Sequence, residues 1–270
     1  MTYAHKNADR FKGFANLYDN TRPVCPEYVV NILTRYIGQN PKTVVDMGCG
    51  TGLSTLVWKD TANKIIGVEP NEDMRTKAIT NANEHKNIEF INAFSDNTGL
   101  GENIADIVTC SQSFHWMEPV STLREIYRVL KPGGVFAAYD CDWPPVCGSA
   151  AVELAYSLLN EKENEIESAN PEYKNSFIQY PKNKHLENIR NSDYFEYARE
   201  IVFFNTENCN ADRYIKIALS QGGIQNILNK NPEFIEEELN TFKVVVDKYF
   251  GDKVLQIDFC YRMRIGLLRK

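Results

Sequence analysis

The sequence predicts an α/β fold with a doubly wound, mostly parallel sheet. Three observations carry this: short β-branched runs alternate with helical stretches from Lys42 to Asp140, a glycine-rich turn follows the first run, and the rhythm breaks after Tyr139. In order, Thr43–Asp46 reads as a strand, Leu53–Trp58 as a helix and Lys64–Glu69 as a strand. Asn71–Ala82 is a helix opened by an acidic first turn, and Ile88–Asn92 and Ile104–Cys110 are strands. Val120–Leu130 is a helix, and KPGG at 131–134 punctuates its joint to the strand Val135–Tyr139. Upstream, Pro26–Gly38 forms an amphipathic helix, with Val29, Val30, Ile32, Leu33 and Ile37 on one face. Downstream, Ala150–Ser168 is the longest helix and Glu200–Asn205 a strand, followed by helices near Ala211–Asn229 and Pro232–Phe250 and a terminal strand at Val254–Leu267. The expected organisation is a lid segment and helix at 1–40, a ligand-binding core at 41–140, a helical insertion capping the substrate at 141–198, and strands and helices at 199–270 that complete the sheet.

Composition narrows the class. The 270 residues are 43% hydrophobic, which excludes a disordered or fibrous chain. A net charge of −6 and no clustered Lys/Arg run argue against a nucleic-acid partner. No apolar run approaches the roughly 18–20 residues of a membrane span. MTYAHKNADRFKG lacks the apolar centre of a signal peptide, so a cytoplasmic protein with no membrane partner is expected. Seven scattered cysteines without a CxxC pair and four histidines without HxxxH spacing indicate neither a disulfide framework nor a metal site. Oligomeric state is left open.

The chemistry begins at VVDMGCGTG, residues 44–52, where Gly48, Gly50 and Gly52 alternate between a buried strand and the following segment. Glycine lets the backbone turn sharply and approach a ligand closely. A dinucleotide loop runs GxGxxG and a phosphate loop needs GK[ST]; this loop is GxGxG. Asp46, two residues ahead, would repel a pyrophosphate and suits a cationic amino-acid ligand. Glu69 ends the second strand, KIIGVEP, where a carboxylate can accept from both hydroxyls of a ribose; the plainer reading is a cap on a surface loop.

With FANLYDNTRP, ADIVTCSQSFHWME and EIYRVLKPGG, the glycine loop resembles the class I S-adenosylmethionine (AdoMet)-dependent methyltransferases. The resemblance is to the small-molecule, methyltransferase type 11 branch that includes trans-aconitate and ubiquinone/menaquinone-biosynthesis-like enzymes. It spans residues 14–140, and is specific for the cofactor and weak for the substrate. It implies a Rossmann-like doubly wound, seven-stranded sheet with an antiparallel C-terminal strand. It further implies that Asp46, Gly48 and Gly50 line the methionine end of AdoMet and that Glu69 holds the ribose. Pro70 and Met74 would border the adenine, with Phe94 and Ser95 after the third strand. The family often has an acidic residue there; this chain has AFSD, which puts Asp96 one step later. Ser111 and Gln112 would complete the methionine pocket, and Arg22 would meet the AdoMet carboxylate.

Methyl transfer needs an acceptor aligned with an activated carbon and water excluded, so orientation supplies much of the acceleration and a dedicated base is optional. His115 and Trp116, at the carboxyl end of the fourth strand, stand where open α/β sheets bind ligands. His115 is a candidate base or hydrogen-bond donor, with a loop buttress as the alternative. Tyr18 is expected near the transferred methyl. Arg22 offers a fork for a carboxylate of cofactor or substrate, and is the residue-level hint of a carboxylic-acid acceptor. Trp143, Phe177 and Tyr180 are candidates for an aromatic lid, with core packing as the alternative. The expected reaction is methyl transfer to a small molecule. An NAD(P)-dependent oxidoreductase and a non-catalytic AdoMet-binding protein are the competing readings.

Overall fold

The computed structural model describes residues 7–8, 13, 15–174 and 177–269. Among them, strands β1 (Thr43–Met47), β2 (Lys64–Val68), β3 (Ile88–Ile91), β4 (Ala105–Ser111), β5 (Leu130–Cys141), β6 (Phe195–Cys209) and β7 (Leu255–Leu268) form one sheet. Their order is β3-β2-β1-β4-β5-β7-β6. Neighbours from β3 to β5 are parallel, and β7 runs antiparallel to both β5 and β6. This is the Rossmann-like, seven-stranded, mostly parallel sheet expected, with its antiparallel C-terminal strand.

Side-chain alternation assigns the two faces. Val44, Ile65, Ile107 and Val135 point to one side, and Val45, Ile66, Val108 and Phe136 to the other. The helices are α1 (Ala15–Thr21), α2 (Glu27–Ile37), α3 (Glu72–Asn81), α4 (Pro119–Val129), α5 (Ala150–Ala169), α6 (Pro171–Lys174), α7 (His185–Asn191), α8 (Ala211–Leu219), α9 (Gly222–Lys230) and α10 (Glu236–Phe250). Leu33 of α2, Leu159 of α5, Ile217 of α8 and Phe242 of α10 close the first face; Leu123 and Ile126 of α4 and Ile189 of α7 close the second. Because both faces are covered, the parallel strands read as near-continuous apolar runs. No helix among the described residues is long and apolar enough to cross a membrane. All seven cysteines are free thiols.

Four expected elements differ. The helix expected at Leu53–Trp58 is only a 3-10 turn at Leu56–Trp58, because Ser54 and Thr55 turn inward and donate their hydroxyls to Asp46. KPGG lies inside β5: pairing begins at Ala105↔Leu130 and resumes at Ile107↔Val135, so the four residues are accommodated as an irregularity in the strand. The helix expected over Ala211–Asn229 divides after Leu219, where the Ser220 hydroxyl turns back to the Ile217 carbonyl at 2.6 Å and Gly222–Gly223 restart the chain as α9. The strand at Glu200–Asn205 extends to Phe195–Cys209 because β7 pairs with it throughout. Its outward Val202 and Phe204 break the simple alternation.

Candidate active site

The carboxyl ends of β1, β2 and β4 open into a cavity of about 360 Å³. That size is in the range of small-molecule sites. The glycine loop forms its floor. The N–H groups of Gly48 and Cys49 both donate to Val68 O, at 2.8 and 3.2 Å, so the loop is tied to the tip of β2. Gly48 has φ +66°, and a Cβ there would meet Met117 Cε and Ser113 Cβ at 2.7 Å. Gly50 has φ +57°, and a Cβ there would meet no protein atom within 4 Å. One glycine is required by packing and the other leaves space beside the loop.

Glu69 is buried, and its carboxylate joins three segments. Oε2 accepts from Gly50 N at 2.9 Å and Oε1 from Asn71 N at 2.8 Å. Asn71 then caps α3 through Met74 N and donates its amide to Ala8 O. Burial raises the Glu69 carboxyl to about 7, against the lowering pull of its two backbone donors.

Asp46 stands elsewhere than the glycine motif suggests. It is fully buried and does not line the cavity. Oδ2 accepts from Ser54 Oγ and Thr55 Oγ1 at 2.7 and 2.8 Å, and Oδ1 accepts from Thr109 Oγ1 at 2.8 Å. Its carboxylate shapes the loop from beneath. Burial raises its pKa, and the three hydroxyls oppose that rise.

Gly48, Gly50, Glu69, Pro70 and Met74 line the cavity, as do Phe94, Ser95, Ser111 and Gln112. Gln112 adopts φ +52°, a left-handed conformation at the end of β4 held by its N–H bond to Tyr139 O at 2.8 Å. Asp96 also reaches the cavity, and the Ser95 hydroxyl pairs with Thr122 Oγ1 at 3.0 Å.

Tyr18 and Arg22 enter from α1 and the turn after it, and both line the cavity. The Arg22 guanidinium lies 4.9 Å from the Tyr18 ring centroid and 5.1 Å from that of Trp143. Its Nη2 donates to Ser220 O and Gln221 Oε1, both at 3.0 Å, at the break between α8 and α9. The break that the sequence conceals is where Arg22 is held.

Trp116 and Tyr180 also line the cavity, and His115 does not. His115 is 4% exposed, and its Nδ1 lies 3.1 Å from Asp140 Oδ1. Burial and then Lys182 lower its pKa to about 4. Its carbonyl accepts Tyr180 N at 2.8 Å, which is the buttressing role. Trp143 is also off the wall: it stacks on Tyr156 and meets Phe259 edge-on, because the chain turns back into the core after β5. Of the three expected lid aromatics, Tyr180 reaches the cavity and Phe177 packs edge-on against Trp116.

Asn7, which no sequence motif marks, is buried and lines the cavity. Its amide donates to Trp116 O at 2.7 Å and Ile178 O at 2.8 Å, and its Oδ1 accepts Ile178 N at 2.9 Å. Tyr261 of β7 and Cys25 also contribute to the wall. Contacts of such sequence separation leave no local motif.

Residues 45–138 match the model of a methyltransferase domain. The matched segment runs from β1 into β5 and includes the glycine loop and Glu69. The chain is 32% identical over 124 residues to a Saccharomyces cerevisiae protein named "probable S-adenosylmethionine-dependent methyltransferase", covering 44% of this chain and 43% of that one. A Synechocystis "uncharacterized methyltransferase" is 28% identical over 130 residues, covering 43% of this chain and 60% of the relative. The matches thus span less than two thirds of these relatives. A provisionally assigned type II methyltransferase from Anaeromyxobacter dehalogenans has the same fold, with TM-score 0.69, 19% identity and coverage of 92% and 99% of the two chains. A [4+2]-cyclase shares it at TM-score 0.56 and 15% identity, covering 100% of this chain and 98% of that one, so the fold alone does not select the chemistry. The name of the yeast relative gives AdoMet as that protein's cofactor. The residues present fit it: a cavity-facing buried carboxylate at Glu69, an open approach at Gly50, and an arginine fork at Arg22.

Proposed function

We propose that this chain is an AdoMet-dependent methyltransferase acting on a small-molecule acceptor, with a carboxylic acid as the acceptor class that Arg22 favours. The observation that carries this reading is a single cavity joining the glycine loop and Glu69 to the walls bearing Arg22, Trp116 and Tyr180. Bound there, AdoMet supplies a methyl group activated by a sulfonium. Glu69 would accept from the ribose, Gly48, Gly50, Ser111 and Gln112 would hold the methionine end, and Pro70, Met74, Phe94 and Ser95 would surround the adenine. Tyr18 brings a phenol beside Arg22, and the guanidinium provides a charged fork for a carboxylate. Trp116 and Tyr180 exclude water from the acceptor side and orient what lies there.

His115 acts in this reading behind the wall, through the Tyr180 backbone, rather than as a base on the acceptor. Trp143 supports Arg22 instead of touching substrate. A carboxylate acceptor is already nucleophilic when ionised, so it requires no protein base.

Calorimetry with AdoMet and with NADH tests the cofactor. Binding of NADH without AdoMet would overturn the proposal and favour an oxidoreductase. A metabolite extract incubated with methyl-labelled AdoMet then identifies the acceptor by the product that carries label. AdoMet binding with no labelled product from any acidic fraction would favour a non-catalytic binding protein.

A further inference from the structure

A buried cluster lies behind the acceptor wall, outside the cavity. Asp140, near the carboxyl end of β5, is 2% exposed. His115 Nδ1 and Lys182 Nζ lie 3.1 and 3.2 Å from its Oδ1, and Arg264 Nη1 and His185 Nε2 lie 3.5 and 3.7 Å from its Oδ2. Three ligand atoms of His115, Asp140 and His185 fall within 4.8 Å of one another, a donor set that resembles a metal site.

Charge argues against a metal. Lys182 and Arg264 are set against Asp140 and Glu200, whose Oε2 accepts Arg264 Nε at 2.8 Å. Both histidines are lowered to about 4, chiefly by burial, and are therefore neutral at pH 7. The cluster is balanced as it stands, and a divalent cation would add two uncompensated charges where water is excluded. Burial raises the Asp140 carboxyl, but Lys182 and then His115 and His185 reverse this and hold it well below the usual carboxylate range.

The cluster instead connects the sheet to the acceptor wall. Residues 177–184 form a strap that places Ile178 and Tyr180 on the cavity. Ile178 is attached to Asn7, Tyr180 N to the carbonyl of His115 in the 3-10 turn Phe114–Trp116, and Phe177 packs edge-on against Trp116. A further attachment reaches a strand, where Lys182 meets Asp140. The next helix, α7, begins with His185, which faces the other oxygen of the same carboxylate. The Lys182 side chain is 32% exposed, so this attachment stays in contact with solvent while Asp140 does not.

We propose that Asp140 is a positioning residue: it anchors Lys182 and thereby sets the strap that carries Tyr180 against the acceptor. The anchor is a property of the fold alone; its consequence for the acceptor rests on the function proposed above.

Hydrogen exchange followed by mass spectrometry on the full chain tests it, with Lys182→Met and Lys182→Arg as variants. In Lys182→Met, exchange across 177–184 should rise about tenfold or more, while peptides over the glycine loop stay protected. Lys182→Arg should restore protection. AdoMet affinity by calorimetry should stay within about twofold in both variants, and the KM for the acceptor found by the labelling screen should rise more than kcat changes. Unchanged exchange at 177–184 in Lys182→Met would overturn the proposal, as would exchange rising equally over the glycine loop. A rise in the melting temperature of the wild-type chain on adding Zn²⁺, abolished by His185→Gln, would also overturn it by showing a metal site. If wild-type chain binds no AdoMet, the functional reading fails, and the exchange result still decides the anchor.

Discussion

Glu69 accepts the backbone N–H of Gly50 at 2.9 Å, so the tip of β2 and the glycine loop share one buried carboxylate. Burial raises that carboxyl to about 7, and this has opposite consequences for the empty and the loaded protein. In the empty protein the protonated form is favoured below about pH 7. The stability this contributes is complete below the ordinary glutamate pKa and is lost as pH rises through about 7, a difference of roughly 3 kcal/mol. Ribose hydroxyls donate to the ionised form, so AdoMet affinity should rise by up to about tenfold from pH 6 to pH 8. Denaturant titrations and calorimetry across that range should show both trends, and Glu69→Gln should flatten both. Glu69→Ala should weaken AdoMet by roughly 1–3 kcal/mol.

Asp46 separates a supporting role from a ligand-binding one. Asp46→Ala leaves the hydroxyls of Ser54, Thr55 and Thr109 without their acceptor in a buried site, and should cost about 3 kcal/mol in urea unfolding. Thr109→Val removes one donor and should cost about 1 kcal/mol. If Asp46→Ala kept full stability and lost only AdoMet binding, the carboxylate would be a direct ligand after all.

Gly48 and Gly50 both have positive φ but differ in what surrounds them. Gly48→Ala forces a Cβ against Met117 and Ser113 in addition to the left-handed strain, and should destabilise the fold by more than about 2 kcal/mol. Gly50→Ala meets no protein atom, so it should cost only the strain, about 1–2 kcal/mol. Its effect should appear instead as weaker AdoMet binding. Thermal melts with and without AdoMet check both; equal stability losses would show that the loop is equally packed at the two positions.

Arg22 is held by planarity as much as by charge. Lysine keeps the charge and could donate to Ser220 O and Gln221 Oε1 from one ammonium, but it has no planar group to lie over the Tyr18 and Trp143 rings. Arg22→Lys should therefore cost about 1–2 kcal/mol of stability and weaken AdoMet as well. A lysine variant with wild-type affinity would show that only the charge is used.

The parallel half of the fold was legible because β1, β2 and β4 are apolar runs between turn residues, and periodicity reports burial directly. The 53–58 segment was misread because its helical apolar spacing competes with Asp46, a carboxylate whose demand for hydroxyl donors no local pattern records. At the site, Gly50 and Glu69 announced themselves by spacing and by their place at strand tips. His115 was expected on the wall but lies behind it, since being adjacent in sequence to the wall residue Trp116 says nothing of which neighbour faces inward. Asn7 and Tyr261 were beyond reach: each meets the site through contacts that the chain creates only after folding.

Asn7 joins the carbonyls of Trp116 and Ile178 through one amide. The cavity roof is therefore assembled from chain regions that are remote in sequence, and its assembly is a long-range, entropically costly event. A ligand touching all of these regions is linked reciprocally to their order. Occupancy should protect the roof from proteases, and any change that loosens the roof should lower affinity with no contact to the ligand altered. Affinity in this molecule is thus partly a measure of how completely Asn7 is docked.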